Sequence, residues 1–310
     1  MTKIAVIGSL VVDMAMRTPH VPQRGENLHT RSFQMGAGGK GANAAAAIAR
    51  MGGQALLVGC LGDDDLGHFE LDAIQAEGVD TAGVTLVPGS PTAVAFVLVD
   101  DGGENTILVA NRTNELLTGP AVEAALRPHW STLDALLVNF ESSEEAVATA
   151  VRGGKTHGVP VVVDAGPVRP YPPETWRDAT VLSPNAHEAA ALVGYPVQDD
   201  QAARSAAREL LAAGPQAIVL KRGGQGALLL NQEGEVLFPS FPVEVVDTTG
   251  AGDAFTAGLT LAIAEGKPLL EAVRFANAAG ALAATRFGTL EAMPTRAEVE
   301  ALLTGGKRTR

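Results

Sequence analysis

The 310-residue chain contains a single cysteine, Cys60, so no disulfide can form within it, and a reducing cytoplasm is the expected compartment. Aromatic residues make up only 4% and charged residues 19%, against 46% hydrophobic, so the core must be aliphatic and there is ample material for it. That balance excludes extensive disorder. Basic residues are outnumbered, 23 against 35 acidic, giving a net charge of −12. Such a chain repels phosphate polymers and anionic membranes, so neither nucleic acid nor membrane is an expected partner. No apolar run approaches the roughly 18 residues of a membrane span. The run Ile4–Val12 after Lys3 imitates a short secretory signal, but it stops at Asp13 without a small-residue cleavage site. A buried first strand explains it as well. Six histidines show no metal-ligand spacing, and Cys60 reads as a small buried hydrophobe.

Glycine is what the chain has in excess: 35 residues, about 11% against an average of ~7%. Something here needs backbone freedom. From Leu133 onward short β-branched runs alternate with amphipathic stretches: Leu133–Asn139, a helix over about 142–157, Val159–Asp164, a helix over about 202–213, then Gln216–Leu220 ending at Lys221. This is the pattern of a parallel sheet covered on both faces. The last third reads as helices over Ala251–Glu265, Leu269–Thr285 and Thr295–Leu303, the last opened by a Thr295/Glu298 capping box. Two regions break the alternation. Residues 14–35 lack a helical period, and residues 92–111 read as a hairpin turning through Asp100-Asp101-Gly102-Gly103. Extended pieces inserted in an α/β chain suggest a small separate sheet acting as a lid on one 1–310 domain. The tail Lys307–Arg310 reads as a frayed end.

Two glycine clusters carry the chemistry. The first, Gly36-Ala37-Gly38-Gly39-Lys40-Gly41-Ala42-Asn43, runs into a helix over Ala44–Met51. Gly36, Gly38 and Gly41 fit G-x-G-x-x-G literally, with Asp63 as a ribose acceptor, which would suit an NAD-dependent dehydrogenase. The obvious first strand, however, ends some thirty residues earlier. What remains is a helix start where a ligand can approach bare amides, with Lys40 and Asn43 as polar handles. The second cluster, Val246-Asp247-Thr248-Thr249-Gly250-Ala251-Gly252-Asp253-Ala254-Phe255, again leads a strand-like segment into a helix. Amides of Gly250, Ala251 and Gly252 at the positive helix end form a cradle for developing negative charge. Asp253 in that first turn either complements the helix dipole or accepts a proton from an attacking hydroxyl; spacing leaves both open. A Walker A loop fails because Thr149 precedes Gly154-Lys155-Thr156 where glycine is required, and His187-Glu188 has Ala191 in place of a second zinc ligand.

Together, in this order and about two hundred residues apart, the two clusters resemble the signatures of the ribokinase-like (PfkB) sugar kinases. Ser183-Pro184-Asn185-Ala186-His187-Glu188 and Arg222-Gly223-Gly224-Gln225-Gly226 add to a likeness that covers essentially the whole chain. The resemblance implies a three-layer αβα sandwich with a mostly parallel central sheet, a small β-sheet lid, and a homodimer clasped through the lids. It implies ATP-dependent transfer of the γ-phosphoryl group to the primary hydroxyl of a pentose, D-ribose first, with deoxyribose, fructose, 2-keto-3-deoxygluconate or a nucleoside as alternatives. By the same resemblance Asp253 matches the catalytic base, and Gly250, Ala251 and Gly252 the anion hole. Asp13, Gly39, Lys40, Asn43 and Glu141 match sugar-contacting positions, while Asn185, Lys221, Gly223, Gly226, Gly252 and Asn277 match the ATP site. Glu188 would meet Mg²⁺ through water, and Asp247, Thr249 and Gly288 would lie at a K⁺ site. Three residues depart from the pattern. Val11 stands in place of a frequent sugar-binding Asn, Lys221 in place of a small hydroxyl residue with its ammonium in reach of the ATP phosphates, and Ala292 in place of a frequent Ser near the cation.

Overall fold

The computed structural model describes residues 1–102 and 105–305, so Gly103 and Glu104 of the hairpin turn and the tail Lys307–Arg310 lie outside the described residues. The chain begins with β1 (Lys3–Ile7), β2 (Val11–Arg17), β3 (Ser32–Gly38), α1 (Lys40–Arg50), β4 (Gln54–Gly62), α2 (Asp65–Ala76), β5 (Asp80–Val87), β6 (Val94–Val99) and β7 (Asn105–Ala110). It continues with α3 (Gly119–Leu126), β8 (Ala135–Asn139), α4 (Glu144–His157), β9 (Val161–Asp164), the single turn α5 (Pro173–Trp176), β10 (Val181–Ser183) and α6 (Ala186–Val193). Then come α7 (Asp200–Ala212), β11 (Ala217–Lys221), β12 (Ala227–Asn231), β13 (Gly234–Phe238), α8 (Ala251–Ala264), α9 (Leu269–Ala283) and α10 (Arg296–Leu303).

Nine strands form one sheet in the order β13-β12-β11-β10-β9-β8-β1-β4-β5, parallel from β11 to β5, with β12 and β13 added antiparallel at one edge. The central strands are apolar on both faces because both faces are covered. Ile4 and Val6 of β1 pack with α1, α8 and α9, whereas Ala5 and Ile7 pack with α3, α4 and α7. That period of two, repeated in β8 and β11, divides the interior into two cores and gives the three-layer αβα sandwich expected. Four strands, in the order β3-β2-β6-β7, form the separate lid sheet. Cys60 is buried in β4, where burial pushes its thiol up to about 11. Among the described residues no helix is long and apolar enough to cross a membrane.

Three local expectations need correction. The N-terminal run is not one strand: β1 ends at Ile7, and after Gly8–Leu10 the chain re-enters as β2 in the other sheet. A strand does precede the first glycine cluster, since β3 contains Gly36 and Gly38 and reaches the start of α1. It is a lid strand antiparallel to β2, however, so the βα turn of a dinucleotide fold is still not formed. Finally, Val245–Asp247 is not a strand. Pro239 and Pro242 separate it from β13, Val245 and Val246 are exposed, and the Val246 amide donates instead to the Ala284 carbonyl (2.9 Å) at the end of α9.

The first glycine cluster exists because backbones meet there. Gly39 caps α1 at φ 89°, and a Cβ on it would stand 2.8 Å from the Val11 nitrogen. In the first turn of α1, a Cβ on Gly41 would stand 2.6 Å from the Gly8 carbonyl carbon and 2.7 Å from the Ser9 oxygen. Neither neighbour is a side chain that can swing aside. Gly41→Ala therefore overpacks the junction of β1, the lid and α1, and should lower stability by about 1–3 kcal/mol. Urea titration checks this: the midpoint should fall with the slope unchanged.

Candidate active site

Parallel strands end together, and the loops beyond their ends face one cleft. Beyond β8 comes Glu141, beyond β10 Asn185, and at the ends of β9 and β11 lie Asp164 and Lys221. The lid rises over this edge, and between them is a cleft of about 1250 Å³. Every site residue singled out from the sequence lines it, from Asp13, Gly39, Lys40 and Asn43 on one side to Gly223, Gly226 and Asn277 on the other.

At its centre is Asp253, third residue of α8 and 5% exposed. Its Oδ1 accepts from Lys40 Nζ (3.1 Å) and its Oδ2 from Asn43 Nδ2 (2.9 Å), both in the first turn of α1. Two helix starts thus converge on one carboxylate. The Asn43 Oδ1 is buried and has no partner among the described residues, so an acceptor there awaits a donor. α8 opens on Gly250 at φ 75°. The Ala251 amide closes the turn onto the Thr248 carbonyl (3.2 Å), whereas the amides of Gly250, Gly252 and Asp253 meet no acceptor among the described residues. A Cβ on Gly252 would find only the Lys221 ammonium within 4 Å, at 3.8 Å, so the space over these amides is open and has a cation beside it.

On the lid side, Glu141 accepts from the Ser9 hydroxyl and from the Lys40 amide (3.3 Å), and Asp13 accepts from Thr289 Oγ1 (3.0 Å). On the far side, Asn185 and Glu188 close a capping box at the start of α6: the Asn185 amide donates to Glu188 Oε2 (2.7 Å) and the Glu188 amide to Asn185 Oδ1 (2.9 Å). Gly223 (φ 54°) and Gly226 (φ 89°) shape the loop after β11, and Asn277 Nδ2 donates to the Pro239 carbonyl (2.7 Å). Asp247 gathers two turns, accepting from the Thr249 amide (3.0 Å) and hydroxyl (2.7 Å) and from the Gly288 amide (3.2 Å).

A family model, that of the pfkB family carbohydrate kinases, matches residues 1–296. The chain belongs to that family. It is 39% identical to the ribokinase of Bacillus subtilis over 303 residues, which cover 98% of this chain and all of that one. It is 34% identical to the deoxyribokinase of Salmonella typhi over 253 residues, 81% of this chain and 82% of that one. Among solved structures, that of Arabidopsis thaliana ribokinase complexed with ribose and ATP superposes with a TM-score of 0.89 at 32% identity, covering 98% of this chain and 99% of that one. The fold and the ATP-dependent sugar-kinase class expected from the sequence therefore stand, and the dehydrogenase alternative falls.

Sequence reasoning gave no role to two residues the kinase fold brings into this site. Asp164 is 2% exposed, yet it ends an all-valine strand and holds Lys221 Nζ at 2.5 Å. A charge closing an otherwise apolar strand was the available signal. Thr289 is the other; only the fold shows that the chain after α9 returns to β2. The departures are also placed. Val11 is buried with Ala93 and Ala95 at the lid's root, and Ala292 is fully buried.

Charge in the cleft is compensated unevenly. Burial would push the Lys40 ammonium down, but Asp253, Asp164, Glu188 and Glu141 outweigh it and hold it well above the usual lysine value. Among the described residues no cation pairs with Asp13. Burial raises it to about 6, the Thr289 hydrogen bond opposing and Glu141, Asp253 and Glu291 adding to the rise. The native state thus holds this proton more tightly than the unfolded chain. Ionising Asp13 costs stability as pH rises from about 4 through 6, by on the order of 2–3 kcal/mol. Asp13→Asn keeps an acceptor for Thr289 without the charge. Without sugar it should be more stable than wild type at pH 8 and equal to it near pH 4; urea titrations at both pH values measure the gap, and a gap independent of pH contradicts the assignment.

Proposed function

We propose that this chain is a cytoplasmic ATP-dependent kinase of D-ribose, acting as one domain with its lid and making ribose 5-phosphate. The observation that carries the reading is Asp253: a buried carboxylate gripped by Lys40 and Asn43, at a helix start whose free amides face open space. End-to-end similarity to ribokinases, at 39% identity in one case, supports ribose as the sugar. In this reading Asp13, Gly39, Lys40, Asn43 and Glu141 hold the sugar with its primary hydroxyl toward Asp253. Asp253 takes the hydroxyl proton as the oxygen attacks the γ-phosphorus, and the bond to the β-phosphate oxygen breaks to release ADP. The amides around Gly250, Ala251 and Gly252 meet the charge on the transferring group. Asn185, Lys221, Gly223, Gly226, Gly252 and Asn277 hold the nucleotide, and the lid keeps water from the γ-phosphate.

Among the described residues no three His, Cys, Asp or Glu side chains gather to hold a metal. In the proposed reading Mg²⁺ would arrive on the phosphates, where Glu188 would reach it through water and the ion would supply charge neutralisation. Asp247, with the turns at Thr249 and Gly288 drawn around it, offers the hard oxygen donors that suit K⁺.

Buried Val11 raises one second reading, deoxyribose, since an apolar residue beside Asp13 removes a partner for a sugar hydroxyl. A coupled assay of ADP release with ribose, deoxyribose, fructose, 2-keto-3-deoxygluconate and a nucleoside, with and without K⁺, separates the two. Ribose should give the highest kcat/KM. Asp253→Asn should lower kcat by ~10²–10⁴ with sugar affinity little changed; a variant within about threefold of wild type would remove Asp253 from the role of base.

The lid's outer face supports a homodimer. Met35, Met14, Phe96 and Leu108 pair in register across all four strands, and Phe33, Phe96 and Leu108 are 57%, 38% and 63% exposed. An apolar row of this kind suits a second copy of the same sheet. Leu108→Arg should convert a dimer to a monomer in light scattering.

A further inference from the structure

Five ionised side chains alternate in sign along the cleft floor. Asp253 meets Lys40 at 3.1 Å, Lys40 meets Asp164 at 3.7 Å, Asp164 meets Lys221 at 2.5 Å, and Lys221 meets Glu188 at 3.8 Å. Four of these residues line the cleft; Asp164 does not. It lies at the end of β9, and Lys221 at the end of β11, with β10 between them. Strands stand about 4.8 Å apart, so the lysine must extend across the end of a neighbouring strand to make the contact. Gly166 leaves room for the cluster: a Cβ there would stand 2.6 Å from Glu188 Oε1 and 2.9 Å from Lys40 Nζ.

We propose that Asp164 is the positioning residue for Lys221, holding its ammonium beside the first amides of α8, where the transferring phosphoryl group passes. This role presupposes that the chain is a sugar kinase with Asp253 at its centre. A lysine is a point charge on a flexible four-carbon stem, and left alone in a cleft it follows whichever anion is nearest. The ATP ground state offers several anionic oxygens. Asp164 competes with them, so Lys221 spends only part of its binding energy on bound ATP and stays beside the Gly252 amide, 3.8 Å from the point where a Cβ would sit. Binding energy withheld from the ground state is available in the transition state. Burial works against the Asp164 carboxylate, but Lys221 and Lys40 outweigh it and hold it below its usual value, so the anchor stays charged at neutral pH.

The test is steady-state kinetics of the full chain with ribose and ATP. Asp164→Asn should lower kcat by about tenfold or more and also lower the KM for ATP by about threefold or more, because the freed ammonium then grips ATP in the ground state. A merely structural pair predicts no such fall in KM. An ATP KM that stays level or rises, or a kcat close to wild type, overturns the proposal. In a Lys221→Met background the Asp164→Asn change should alter kcat by less than about threefold, since the group it positions is gone. That double variant also removes both charges of the Asp164–Lys221 pair together, so neither is left without the other if the single variant does not fold. A further full tenfold loss there overturns the proposal too. Wild type without ribose-dependent ADP release would instead refute the reading of this chain as a ribose kinase.

Discussion

Carboxylates placed at the floor of an aliphatic sandwich need counter-charges, and here Lys40 and Lys221 supply them to Asp253, Asp164 and Glu188. The positions of those two lysines constrain much of the remaining structure. Lys40 reaches Asp253 only because α1 starts immediately after the lid strand β3, which requires Gly39 at φ 89° and a Cβ-free contact between Gly41 and Gly8. Lys221 reaches Asp164 only because β9, β10 and β11 are parallel neighbours that end at one level. Ion pairs buried this deeply give little net stability, since desolvation offsets attraction. Their presence at the cleft, and not in the two cores, argues for a functional reason.

Much of this was legible in the sequence, for identifiable reasons. Strands such as Val161–Asp164 and Ala217–Lys221 are buried on both faces, so their apolar runs are continuous and bounded by polar residues. Helices with a strong local start were legible too: Thr295 and Glu298 do form the capping box, and α10 continues from it. The first glycine cluster stood out because close backbone approach at Gly39 and Gly41 leaves no room for a side chain. What stayed hidden depends on tertiary partners. Nothing local shows that the run Ile4–Val12 divides between two sheets, because Gly8 breaks it only by packing against Asn139 and Gly41. Val245 and Val246 have the composition of a strand, but β13 ends before them and no edge strand receives them. Thr289 is an ordinary residue in sequence and matters only for what lies opposite, and the charge that closes β9 at Asp164 does not by itself name Lys221 as its partner.

The lid is attached at both roots by carboxylates that face inward. Glu70 of α2 is fully buried and accepts the Gly38 amide (3.2 Å) at the end of β3; burial holds this acid well above its usual value, with Asp13 adding to the rise. Asp64, which caps α2, accepts from the Thr92 amide (2.9 Å) and hydroxyl (2.6 Å) just before β6. One helix therefore fixes the bases of two lid strands. The outer face of those strands is the apolar row through Phe96 and Leu108. A sheet fixed at its root on one helix can offer its outer face to a second sheet without disturbing Asp253.

Asp13 shows how this arrangement bears on sugar choice. It stands between the fixed root and the cleft, with an apolar neighbour in Val11 and a single hydroxyl donor in Thr289. A carboxylate raised to about 6 by burial is short of donors, and a polyol offers them: two hydroxyls on adjacent carbons can donate to its two oxygens. A deoxy sugar offers one fewer. Discrimination between hydroxyl and hydrogen is strongest where the protein's own polar group is otherwise unpaired. If Asp13 meets the sugar as proposed, Val11, which brings no donor from the protein side, would make that carboxylate depend more on the sugar's hydroxyls. The substitution that first suggests tolerance of a deoxy sugar thus favours, on the energetics of a buried carboxylate, the fully hydroxylated one.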